Sequence, residues 1–130
     1  MKRYIVLLAV VAAIGIATAV FSEERHVKAD LLPIDGSGVT GFVQITQLPK
    51  GGAVVQVVVH GLKAGSTYSS FYYESRDCSA PADLLQTFTA GPDGNGQVNG
   101  KIDEDLDEVG SVSVRLGSDY GTLLSCAVVH

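Results

Sequence analysis

The sequence predicts an all-β fold, an antiparallel sandwich or barrel of eight strands. Three observations carry that expectation. Strand-like runs recur at spacings of about ten residues, glycine-rich turn clusters separate them, and no helical period follows residue 22.

The runs are 26–34, 39–48, 53–60, 67–74, 84–90, 97–102, 110–116 and 123–129. The first turn is Asp35-Gly36-Ser37-Gly38, and the second is Pro49-Lys50-Gly51-Gly52. Gly61-Leu62-Lys63-Ala64-Gly65, Gly91-Pro92-Asp93-Gly94-Asn95-Gly96 and Gly117-Ser118-Asp119-Tyr120-Gly121 break the chain further on. Glycine supplies the positive backbone angles that tight turns require. Val43-Gln44-Ile45-Thr46 and Val112-Ser113-Val114-Arg115 alternate, which predicts one buried and one wet face. Residues 54–59 are apolar nearly throughout, so that strand is expected to be covered on both faces. Residues 75–83 are expected to be a loop containing Cys78, and 103–109 an acidic connection.

Ahead of these strands, residues 1–19 have the pattern of a secretory signal peptide. Lys2 and Arg3 precede an apolar stretch, and Ala17-Thr18-Ala19 offers a small-x-small cleavage site. Cleavage would start the exported chain near Val20. Uncleaved, the apolar run 4–21 sits at the lower limit for spanning a bilayer and would act as an anchor. Residues 20–28 are then an extension and 29–130 the barrel domain. The expected location is secreted or periplasmic.

Removing Lys2 and Arg3 leaves seven of the nine Lys/Arg against fourteen Asp/Glu, a net charge of −7. Such a surface argues against nucleic acid as a partner, and against a membrane unless the first segment stays attached. A protein partner is compatible with it. Two cysteines in an exported chain most simply form one disulfide, so Cys78 and Cys126 are expected to pair. A two-cysteine metal site would need further ligands, and none is found nearby in the sequence.

The three histidines, His26, His60 and His130, lack neighbours at metal-ligand spacings. One arrangement remains for them, a meeting of His26 and His130 if the first and last strands pair. The acidic run 103–108 lacks the alternating carboxylate spacing of a calcium loop, and Pro92-Asp93-Gly94-Asn95-Gly96 reads as a turn. No histidine is placed to activate a serine, and no phosphate-binding glycine motif is present. The expected cofactor set is empty.

Four segments, in order, give the chain a resemblance to the copper–zinc superoxide dismutase family over about 29–130. "HGLKAG" (60–65) is similar to that family's Gly-Leu-x-Pro-Gly turn, and "ESRDCSAP" (74–81) to its Glu-x-Gly-Asp-Cys-Ser segment. "TAGPDGNGQV" (89–98) resembles its Thr-Ala-Asp-x-x-Gly hairpin, and "LLSCAVV" (123–129) its last strand. The resemblance implies a Greek-key eight-stranded β-barrel and a Cys78–Cys126 bridge from loop to last strand.

It also implies where a copper site would lie. Aligned through Glu74, two of the family's copper histidines fall on Phe71 and Tyr73, and a third on Arg115. The family's zinc ligands have no counterpart in the short segment 78–84, and its guiding arginine falls near Leu123. Phenylalanine has no donor atom, and tyrosine ligates only as a phenolate. The resemblance therefore leads to the expectation of a non-catalytic binding or structural module, in which Phe71 and Tyr73 fill the space of the metal. The alternatives are a divergent superoxide dismutase with an unrecognised metal site, and a chordin-type barrel domain of unknown role.

Overall fold

A computed structural model describes residues 25–130. The expected signal segment, 1–19, lies outside the described residues. Eight strands run in chain order: β1 (His26–Pro33), β2 (Thr40–Gln47), β3 (Ala53–His60), β4 (Thr67–Tyr73), β5 (Ala82–Thr89), β6 (Gly96–Ile102), β7 (Ser111–Leu116) and β8 (Leu123–Val128). A 3₁₀ turn, Leu106–Glu108, interrupts the acidic connection. β1 pairs with β2 from His26 onward, so the ladder begins three residues ahead of the expected barrel boundary. β5 starts at Ala82, two residues earlier than its apolar run suggested, because Ala82 and Asp83 pair with Tyr73 and Tyr72.

Every pairing is antiparallel, and the strand order is β5-β4-β7-β8-β1-β2-β3-β6. β3 pairs with β6 and β4 with β7, so the β3–β4 and β6–β7 connections cross the ends of the barrel in Greek-key fashion. The two outer strands, β5 and β6, meet at a seam that makes the barrel nearly closed. Glycines on β6 allow that approach. A Cβ on Gly100 would come within 2.7 Å of Leu85 Cδ1, and one on Gly96 would press on the Phe88 ring.

Inside the barrel, Val43, Ile45, Val55, Val57, Val98, Val112, Val114 and Ala127 have almost no solvent exposure. Burying each valine or isoleucine contributes about 1.5–3 kcal/mol relative to exposure. Leu106 and Val109 reach in from the acidic connection and close one pole, so that segment is anchored by two core residues.

Two strand-face expectations change. β3 is covered on one face only: Val55, Val57 and Val59 are buried, while Val54 on the other face is exposed. Among the described residues no second layer packs outside β3, so its outward valines have neighbours on the same sheet alone. On β7 the predicted wet face is the reverse case. Ser111 and Ser113 are fully buried, Ser111 against Ser75 and Cys78 of the loop after β4 and Ser113 against the Tyr73 hydroxyl.

Candidate functional site

Phe71 and Tyr73 stand two residues apart on β4, so both project from the same side of the sheet. That side is the outer one. They pack with Cys78 and Cys126 in a cluster separate from the barrel interior, against Ile34, Ala82 and Leu123. A direct row crosses five strands here: Leu84 opposite Phe71, Phe71 opposite Ser113, Ser113 opposite Cys126, and Cys126 opposite Leu32. Its middle is buried, while Leu84 and Leu32 at its ends are exposed.

Cys78 and Cys126 form a disulfide, as expected. It ties the loop after β4 to β8 and fixes the underside of the cluster. Ser111 accepts the Cys78 backbone N–H at 3.0 Å and donates to the Ser75 carbonyl at 2.7 Å. Small hydroxyls on β7 thus satisfy loop groups that would otherwise be buried without partners.

Arg115 joins the same cluster from the end of β7. Its Nε donates to the Tyr73 hydroxyl at 3.0 Å, Nη1 to the Gly121 carbonyl at 2.9 Å, and Nη2 to the Cys78 carbonyl at 3.1 Å. Nη2 also donates to the Tyr120 hydroxyl at 3.1 Å, and the guanidinium lies 3.8 Å from the Tyr120 ring centroid. Tyr120 in turn meets Phe71 edge-on, with centroids 5.0 Å apart. The Tyr73 hydroxyl is shared with Ser113 Oγ at 2.6 Å. Burial pushes the Tyr73 phenol above its ordinary pKa, although the bond from Arg115 works the other way.

The three positions singled out in the sequence therefore do come together. What they form is a closed knot of two phenols, one phenyl ring and a guanidinium. The donor set does not fit a copper ion. Phe71 has no donor, Arg115 brings a permanent positive charge, and Tyr73 is held as a protonated phenol. Tyr120 and Ser113 complete the knot, and sequence reading missed both. Tyr120 lay inside a glycine-rich turn, and Ser113 looked like an outward polar residue. The only available signal was an aromatic residue between Asp119 and Gly121 in an otherwise small, polar turn.

The histidines lie elsewhere. His60 Nδ1 donates to Asn95 Oδ1 at 2.8 Å, bracing the turn in which Asp93 accepts from Asn95 N and Nδ2. β1 and β8 do pair, but through Leu32 and Pro33, at the far end of β1 from His26. His130 Nε2 instead donates to the Leu106 carbonyl at 2.8 Å. Among the described residues no group of three or more His, Cys, Asp or Glu side chains is placed to hold a metal ion. Near the acidic connection, burial and a hydrogen bond to Glu104 push the Tyr72 phenol well above its usual range.

No family model matches the chain, and no curated protein matches it.

Proposed function

We propose that the chain is an exported, non-catalytic binding or structural module, built on a superoxide dismutase-like barrel whose metal site has been replaced by a packed knot. One observation carries this reading. Phe71, Tyr73 and Arg115, the positions that the resemblance assigns to copper ligands, converge in one cluster and satisfy one another. A guanidinium with four hydrogen bonds to neutral acceptors leaves neither donor atoms nor negative charge for a cation.

A disulfide fits an oxidising environment, and no helix among the described residues is long and apolar enough to cross a membrane. The signal pattern of residues 1–19 supplies the remaining argument for a secreted or periplasmic location.

The test is metal loading of the purified exported protein followed by a superoxide-consumption assay. The expected result is no copper-dependent dismutation and no stoichiometric copper retained after dialysis. Retained copper together with dismutation that a chelator abolishes would overturn the reading in favour of a divergent enzyme.

A further inference from the structure

We propose that Arg115 is a latch over the Cys78–Cys126 disulfide, and that its release sets the rate at which external thiols reduce that bond. Reduction begins when an external thiolate attacks one sulfur in line with the S–S bond. Cys78 is 1 % and Cys126 8 % exposed, so the closed structure offers little path to either. Attack at the more accessible Cys126 forms a mixed disulfide and expels Cys78 as a thiolate. A second external thiolate then releases Cys126, and two electrons pass from the external dithiol to the protein disulfide.

Access therefore requires local opening, and the geometry shows what opposes it. Arg115 is anchored on Tyr73 and spans two loops at once, through the Cys78 carbonyl on one side and Gly121 and Tyr120 on the other. Tyr120 stands on Phe71, which packs in the cluster that contains both cysteines. Cys78 and Tyr120 both hold left-handed backbones, with φ of 56° and 54°. Side-chain-bearing residues keep such conformations only where surrounding contacts hold them there. Both strained residues meet the same guanidinium. The Cys78 side has a second hold through Ser111. The loop of residues 117–122 is tied by backbone bonds at its ends, Gly117 N to the Thr67 carbonyl and Leu116 N to the Thr122 carbonyl, so its tip at Tyr120 is the part that Arg115 frees.

The probe is dithiothreitol, with thiol release followed under native conditions in wild type, Arg115→Gln, Arg115→Lys and Tyr120→Ala. Val57→Ala, inside the barrel, serves as a control that lowers global stability without touching the latch. Arg115→Gln is expected to accelerate reduction by roughly tenfold or more, the factor that losing charge-assisted hydrogen bonds adds to an opening equilibrium. Arg115→Lys, which keeps charge without the planar fork, should fall between it and wild type. Tyr120→Ala should also accelerate reduction. In all of them the rate should be insensitive to low urea, the signature of local opening. A wild-type rate in Arg115→Gln or Tyr120→Ala would overturn the proposal. So would acceleration no greater than Val57→Ala shows at matched global stability, because reduction would then proceed through general unfolding.

Discussion

Phe71 and Tyr73 are neighbours on one face, yet their loss should be felt differently. Phe71 is held by shape, through its edge contact with Tyr120 and its packing on the disulfide. Phe71→Ala should cost about 3–4 kcal/mol, as large-to-small changes at closed sites do. Tyr73 is 1 % exposed and is held by chemistry as well as shape, since its hydroxyl receives Arg115 Nε and contacts Ser113. Tyr73→Phe keeps the ring and strands those two partners, at a cost of about 1–3 kcal/mol. Urea denaturation of both variants checks the order, Phe71→Ala being the less stable. A loss of under about 1 kcal/mol in Phe71→Ala would mean that the ring does not fill its site. Alternation along β4 placed these two side chains on one face and was readable in the sequence. The partners were not readable, because Tyr120 arrives from a loop 47 positions beyond Tyr73.

At the scale of elements, the strands follow from period-two patterning and turn residues, and their observed limits lie within two residues of the expected ones. What patterning could not reveal is how neighbouring groups cover a face, which is why Ser113 of β7, read as wet, is buried beneath Tyr73. The acidic connection is a further case. Read as a solvated segment, it is pinned by Gln47, whose Nε2 donates to Asp105 Oδ1 at 3.0 Å and whose Oε1 accepts from Leu106 N at 2.7 Å. Gly52 N donates to the same carboxylate oxygen at 2.8 Å. The bonds from Gln47 and then Gly52 hold the Asp105 carboxyl below the ordinary aspartate pKa. A group with a depressed folded pKa stabilises the fold above its unfolded value. That contribution is lost as pH falls from about 4 through the lower folded value. Asp105→Asn should therefore flatten the acid limb of the stability–pH curve and leave its shape above about pH 5 unchanged. Denaturation midpoints measured from pH 2.5 to 6 test this, and parallel curves for the two proteins would refute it.

At the scale of the whole molecule, the disulfide is a covalent brace within one half of the strand order, β5-β4-β7-β8. It joins the loop between β4 and β5 to β8, which pairs with β1 of the other half. The non-covalent frame is otherwise continuous, since β7–β8 and β8–β1 ladders already connect the two sets of strands. The bridge therefore acts mainly on the unfolded chain, where it closes a loop with a sequence separation of 48 residues. In the chain-entropy model a loop of that size stabilises the fold by about 4 kcal/mol. The burial of both cysteines adds a further native-state cost, of the same sign, for any polar replacement. A Cys78→Ala, Cys126→Ala double variant removes the bond without burying hydroxyls, so it isolates the entropic part. It should lose roughly 3–5 kcal/mol while retaining the β-sheet spectrum of the parent, because no ladder depends on the bridge. The double Ser variant should be less stable again, since two unpaired hydroxyls would replace the sulfurs in an apolar cluster. Thermal and urea melts of the three proteins separate the terms. Equal stability of the Ala variant and the parent would show that the loop is already closed by residual structure in the unfolded chain.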